Sequence, residues 1–355
     1  MKINHSRIKN SNNTQKYLLK SRLLKQVAQA CEDCSIDIYR LLAIAGFPTA
    51  LLKFDDREIE HQDYAELLMH AASISGNSLF GMHVGKRLEV EKIGALGALL
   101  SHQQDLASCY PVMHYIADAE KHGATHSIEI VGQRAFHCIN YLFKGNTRQM
   151  ALAGLVGAHT VFSALLGDNW RPLCLHLKQQ PQKDIEELAA FLGFKVKVDS
   201  TRDAIEIDKN DLYSQQRTSL IPQRKLKIEL AQALNSIKDV VGLVRKFVQY
   251  GLPLHRVEKE DIDFTLGVHQ RTLQNTLATH NTTYAEILRE ERIALSQHYL
   301  LQTSYSINEI AEQLGYSCAA AYVPQFKKWF GVTPLQWKKQ QQHRSLEGPN
   351  LPPVN

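Results

Sequence analysis

Apolar residues from Arg22 to Ala45 recur every three to four positions, the spacing that lays one stripe along a helix. Gly46-Phe47-Pro48 then ends the run, because glycine and proline do not continue a helix. Tyr64 to Ile74 and Gln103 to Ala119 keep the same period and predict two further amphipathic helices. The period then changes to two. Ser127 to Val131 and Phe136 to Tyr141 alternate about Gly132-Gln133-Arg134, which predicts a β-hairpin. A long apolar helix from Thr147 to Leu166, a strand from Leu173 to Leu177, a helix from Asp184 to Leu192 and strands at Lys195 to Val198 and Ala204 to Ile207 follow. This first part is expected to be an α+β domain, helices first and a mixed sheet later. Between Asp211 and Lys225 the periodicity fades into polar residues interrupted by Pro222, and beyond it only helical patterns remain. The expected division is an N-terminal arm over 1–20, an α+β domain over 21–212, a linker over 213–235, an all-α domain over 236–340 and a flexible tail over 341–355.

The all-α domain repeats itself. Ile262-Asp-Phe-Thr-Leu266-Gly267-Val268 and Ile310-Ala-Glu-Gln-Leu314-Gly315-Tyr316 share Ile-x-x-x-Leu-Gly-apolar, with their glycines 48 positions apart. Each reads as a helix closed by a glycine turn. A second helix follows each glycine, anchored by Leu273 and Leu277 in the first copy and by Tyr322 and Phe326 in the second, pairs spaced to share one face. Two short helices about a turn, the second with one apolar stripe and one free face, form a helix-turn-helix. Tyr284 to Leu301 predicts one long helix joining the two units, with Ile287, Leu288, Leu295, Tyr299 and Leu300 as its stripe. One copy alone is equally consistent with bundle packing; two copies on a connecting helix point to paired reading heads for a major groove.

Composition adds bounds. A chain of 355 residues suits two domains, and 44% hydrophobic with 22% charged residues is ordinary globular usage. No stretch is expected to approach the ~20 apolar residues of a membrane span, so no membrane partner is expected. Met1 to Lys25 carries seven lysines and arginines and no acid, but no apolar signal core, and reads as a basic arm on a cytoplasmic protein. A net charge of +5 permits a nucleic-acid partner without requiring one. Of six cysteines only Cys31 and Cys34 form C-x-x-C, and with no second pair they read as reduced structural thiols rather than a metal site. No cofactor is expected.

At this point the chain resembles the AraC/XylS family of regulators. Ser306-Ile-Asn-Glu-Ile-Ala-Glu-Gln-Leu-Gly-Tyr-Ser317 and Phe326-Lys-Lys-Trp-Phe-Gly-Val-Thr-Pro334 look like its C-terminal signature, and Arg271-Thr-Leu-Gln274 with Leu288-x-x-x-Arg292 looks like its first unit and linker helix. Leu41 to Gly46, Phe80 to Gly85 and Ile93 to Gly97 resemble the sensing and dimerisation domain of its ornithine-regulator-like subgroup. The resemblance implies a homodimer on paired sites in double-stranded promoter DNA, a small-molecule effector bound by the N-terminal domain, and RNA polymerase as a partner.

The free face of the first recognition helix offers Gln270, Arg271, Gln274 and Asn275, which read guanine or adenine by paired hydrogen bonds. The second unit turns Ala319, Ala320, Ala321 and Pro324 to the groove, so Ser317, Lys327, Lys328 and Lys338 are expected to hold phosphates instead. Two residues depart from the family pattern: Asp263, where alanine is usual and where a buried carboxylate needs a partner, and Pro324, where arginine is frequent. Enzymatic chemistry finds no support: there is no Gly-rich phosphate loop, G-x-S-x-G or paired metal spacing, and no catalytic residue is assigned. His122, His126, His137, His159 and His176 read as scattered core or solvated side chains rather than a metal site. The alternative to effector control is a regulator governed by abundance or a protein partner. A pocket between the helix at 147–166 and the sheet would favour a ligand, and a filled core would not.

Overall fold

A computed structural model describes residues 16–93, 95–119, 122–167, 169–180, 182–215, 239–266 and 270–346 of the chain. The expected linker lies largely outside the described residues, as do residues 1–15, the first glycine turn at 267–269, and 347–355. The N-terminal part is α+β and the C-terminal part all-α, as the periodicities require.

The described residues open with β1 (Leu18–Lys20) and helices α1 (Leu23–Asp33) and α2 (Ile38–Ala45). The single helix expected over Arg22 to Ala45 is therefore two. Ser35 takes a left-handed φ of 54°, and the Asp37 carboxylate caps α2 by accepting from the Tyr39 and Arg40 amides. The last residues of the expected arm are also structured. β1 pairs antiparallel with β2 (Glu58–Glu60), and the basic run meets an acidic one: Lys16 pairs with Glu60, Lys20 with Glu58, Arg22 with Asp56 and Lys25 with Asp55.

Helices α3 (His61–Ser75) and α4 (Phe80–Gly85) complete the first layer over a core of Leu24, Val27, Leu41, Leu67, Leu68 and Phe80. The helix expected over Gln103 to Ala119 forms as α6 (Leu106–Ala119), and α5 (Ala95–His102), which the periodicity did not predict, precedes it. Asp105 makes the break, accepting hydrogen bonds from the Ser108 amide and hydroxyl at 2.9 and 2.7 Å.

The hairpin forms as β3 (Ala124–Val131) and β4 (Arg134–Tyr141) about a two-residue turn, where Gly132 supplies the φ of +60°. α7 (Arg148–Leu166), β5 (Cys174–His176), α8 (Ile185–Leu192), β6 (Lys195–Lys197) and β7 (Ala204–Asp208) finish the domain. The sheet order is β3-β4-β7-β5-β6, antiparallel except for β5 with β6. Contrary to expectation, α7 is long and apolar enough to cross a membrane. It is instead the domain's core helix, burying Leu152, Leu155, Val156 and Leu165 against α6 and the sheet.

Helix α4 crosses α7 backbone to backbone. A methyl group built on Gly81 would stand 2.2 Å from the Gln149 carbonyl, and one on Gly85 2.5 Å from the Ala153 carbonyl. The buried Gln149 side chain locks the crossing, accepting from the Gly81 amide at 2.7 Å and donating to the Ser78 carbonyl at 2.8 Å. The Gly81-x-x-x-Gly85 spacing thus serves close approach.

The C-terminal domain comprises α9 (Val240–Gly251), α10 (Lys259–Leu266), α11 (Gln270–Thr279), α12 (Tyr284–Gln302), α13 (Ile307–Gln313), α14 (Ala319–Phe330) and α15 (Pro334–Leu346). Residues 341–346, expected in the tail, continue α15.

In an open helix Gly81→Ala would stabilise by up to ~1 kcal/mol. At this crossing the backbone must move apart, and we expect a net loss of about 1–3 kcal/mol in urea unfolding of the full chain. A gain would show that the helices do not touch there.

Candidate nucleic-acid interface and buried cavity

In the first unit Leu273 and Leu277 sit in a core with Val244, Phe247, Ile262 and Ile287, while Arg271, Gln274 and Asn275 on the same helix α11 are exposed. Arg271 and Asn275, four apart, stand one above the other on the exposed side. The side chains of Asp263 and Gln270 lie outside the described residues. Helix α9 is tied to α12 by charge: Arg245 donates to Glu291 at 2.7 Å and Glu290 at 2.6 Å, and Gln249 donates to the second oxygen of buried Glu291. Glu291 is thereby a buried acid with both oxygens satisfied.

The second unit is built alike. Ser306 and Glu309 form a reciprocal cap on α13, which holds the Glu309 carboxyl below the usual carboxylate range. Gly315 turns the chain at φ +73°, and Arg292 of α12 donates to the Leu314 carbonyl and lies over the Tyr316 ring. Tyr322 and Phe326 are fully buried, with the Tyr322 hydroxyl hydrogen-bonded to Ser296 of α12. Asn308 caps α14 from outside, accepting from the Ala319 amide at 3.2 Å. Ala320, Ala321 and Pro324 are exposed, while Ala319 is half-buried. Helix α14 runs through Pro324 as one element, although its sixth position is beyond the first turn that tolerates proline. Ser317, Lys327 and Lys328 are exposed, and Lys338 is half-buried on α15. One polar side chain was overlooked in the sequence. Gln325 is exposed on the flank of α14, and its place beside Pro324 hid it behind a run of apolar residues.

The two domains touch. Arg256 pairs with Asp105, which is 2% exposed, and lies over the Tyr213 ring; Leu254 is buried in the N-terminal core. The His114 ring of α6 stacks flat on Tyr250 of α9 at 3.3 Å.

The cavity has a volume of about 300 Å³, between α7, α6 and the β3–β4 hairpin on one side and β1, α1 and α3 on the other. Small residues on α7 open it: Ala153, Gly154 and Ala158 face the space, whereas Leu152, Leu155 and Val156 are buried. Cys109, Met113 and Ala117, spaced by four, bring one face of α6 to the same space. Four histidines border it, His61, His122, His126 and His137. His61 Nε2 lies 3.4 Å from His122 Nε2, His126 Nδ1 lies 3.4 Å from His137 Nε2, and His137 Nδ1 meets the Tyr110 hydroxyl at 2.9 Å. The histidines expected to be scattered therefore include a cluster. Burial pushes all four down, His61 to about 2 and His126 to about 3, with mutual repulsion adding to the shift in all but His122. Burial likewise lowers His114 of α6 to about 3, with Lys246 and His137 adding to the shift.

Cross-strand register also assembles Cys174, His176 and Glu206, whose ligand-type atoms lie within 4.8 Å of one another. No spacing in the sequence could announce this. Glu206 is already engaged on one oxygen by Arg134 at 2.6 Å and on the other by His176 at 2.8 Å.

A family model described as the N-terminal arabinose-binding domain of AraC transcription regulators matches residues 36–215, half the chain, and a helix-turn-helix domain model matches 265–340. The HTH-type transcriptional regulator VirS of Mycobacterium tuberculosis is 36% identical over 99 residues, 28% of this chain and 28% of that protein. YdeO of Escherichia coli is 31% identical over 116 residues, 33% of this chain and 45% of that protein. The chain thus matches less than half the length of either relative. Among solved structures, the transcriptional regulator CdpR from Pseudomonas aeruginosa aligns over 92% of this chain and 100% of its own, at 16% identity and a TM-score of 0.47.

The buried histidines carry a pH dependence. Their folded pKa values lie below the unfolded value near 6.5, so below that pH the unfolded chain binds protons that the folded chain refuses. Each fully buried histidine then withdraws up to about 1.4 kcal/mol per pH unit. The melting temperature should fall from pH 7.5 to pH 5.5, and less steeply in His126→Asn. A flat profile over that range would contradict neutral burial.

Proposed function

The chain belongs to the AraC family of transcription regulators, and on that premise we propose that it reads promoter DNA unequally with its two units under control of a small molecule in the N-terminal cavity. The observation that carries the reading is the exposed polar face of α11 opposite the buried Leu273 and Leu277, beside a second recognition helix whose exposed face offers alanines and proline. Gln270, Arg271, Gln274 and Asn275 read bases. Ser317, Lys327, Lys328 and Lys338 grip phosphates, with Gln325 as the one amide of α14 able to reach a base edge. Sensing and dimerisation belong to residues 21–212 and DNA binding to 236–340. A homodimer is proposed because one pair of reading heads is a small footprint for genomic selectivity. Contact with RNA polymerase is proposed on family membership.

Effector control is favoured over control by abundance because a cavity lies between α7 and the sheet. Its wall is also the docking surface of the DNA-binding domain: α6 faces the cavity with Cys109 and Met113 and meets α9 through His114. A ligand that moves α6 moves α9, and α9 is tied to α12 through Arg245.

Fluorescence anisotropy of the full chain on its own promoter tests the division of roles. Arg271→Ala or Gln274→Ala should relax preference at particular base pairs, by ~1–3 kcal/mol each. Lys327→Ala and Lys328→Ala should weaken promoter and random DNA alike and lower the salt slope by about one each. The promoter complex should hold two copies of the chain. Altered base preference from changes on α14 alone, with none from α11, would reverse the assignment.

A further inference from the structure

The chemistry of the cavity wall is selective. Apart from the histidines, the hydroxyls of Tyr64 and Tyr141 and a few polar groups near β1 and α1, the wall is aliphatic or aromatic, from Leu100, Met113 and Met150 to Val161, Phe162 and Leu165. Among the described residues that line it there is no carboxylate, so a cationic ligand finds no counter-charge. Its two cations, Lys20 and Arg22, are paired with Glu58 and Asp56. The bordering histidines are neutral, so an anion finds no free positive charge either.

Two polar side chains among the lining residues each carry an atom with unmet capacity. Gln26 Oε1 and His61 Nδ1 are buried and find no hydrogen-bond partner among the described residues, and both side chains are more than nine-tenths buried. Buried polar atoms are normally satisfied, so this pair, both from residues that line the cavity, marks where a ligand's polar group completes the structure. Gln26 Oε1 can only accept; His61 Nδ1 accepts or donates according to tautomer.

We propose that the cavity binds one uncharged, mainly apolar molecule, a ring or chain whose hydrogen-bonding end meets Gln26 and His61, and that it does not take a sugar. The inference rests on the effector reading above and narrows its ligand. A pentose carries hydroxyls around its whole ring, and a wall that is mainly apolar offers partners to few of them, so the rest would lose water without gaining a partner. A volume of about 300 Å³ sits at the small end of ligand sites, enough for a single ring with a short chain.

Calorimetric titration of the full chain near neutral pH with 4-pentylphenol, pentylbenzene, octanoate and L-arabinose tests this. We expect 4-pentylphenol to bind once per protomer, pentylbenzene roughly ten-fold more weakly for want of a hydrogen bond, and the other two not measurably. Gln26→Leu or His61→Leu should erase the preference between the first two. Ala158→Phe, and independently the smaller Ala153→Leu, should abolish binding while the circular dichroism spectrum is retained. Failure of 4-pentylphenol to bind, tighter binding of octanoate or L-arabinose, or binding untouched by both cavity-filling variants overturns the inference. Binding in the cavity that leaves promoter affinity unmoved supports the ligand class and counts against the regulatory reading, so the two fail separately.

Discussion

Helix α12 belongs to two hydrophobic cores at once. Its first half, with Tyr284 and Ile287, closes the core of the first unit, its second half, with Tyr299 and Leu300, closes that of the second, and Leu295 packs against both. Neither unit can turn on this helix without opening a core. Polar contacts fix the same relation: Glu290 and Glu291 hold α9, Arg292 holds the Leu314 carbonyl, and Ser296 holds Tyr322. Nineteen residues at 1.5 Å each make a rod of about 28 Å, close to one turn of B-DNA at ~34 Å. The separation of the reading heads is therefore a property of one helix.

The same economy runs through the N-terminal domain. Helix α6 lines the cavity with residues spaced by four, ends its N-terminal turn on Asp105, and offers that buried carboxylate to Arg256 of the other domain. A carboxylate 2% exposed and paired across the domain boundary couples the two, because removing Arg256 strands a buried charge. Cavity-lining residues and the contacts to the DNA-binding domain, through Asp105 and His114, thus belong to one helix and its N-terminal end.

Much of this was legible in the residue order. The hairpin, α7 and the second Leu-Gly turn, at Gly315, announced themselves because each depends on local periodicity and on glycine where the chain must turn. The exposed face of α11 followed from Leu273 and Leu277 alone. The break at Cys34 to Asp37 was missed because a capping aspartate interrupts a helix without disturbing its apolar spacing. The cavity was invisible for another reason: Ala153, Gly154 and Ala158 read as ordinary residues of an apolar helix, and only the sheet and α6 packed beside them turn small side chains into space. Cys174, His176 and Glu206 meet through strand register, which no linear spacing encodes. The basic N-terminal run read as a free arm because its acidic partners stand 30 to 44 residues away, on and just before the strand that β1 pairs with.

If α12 fixes the two reading heads, their footprints must be fixed as well. Hydroxyl-radical footprinting of the full chain on its own promoter measures that directly. The account predicts protections in pairs, the two members on one face of the duplex and about ten base pairs apart, because successive major grooves recur at that interval. Single unpaired windows, or members about five base pairs apart on opposite faces, would contradict a rigid connection between two units that both engage DNA.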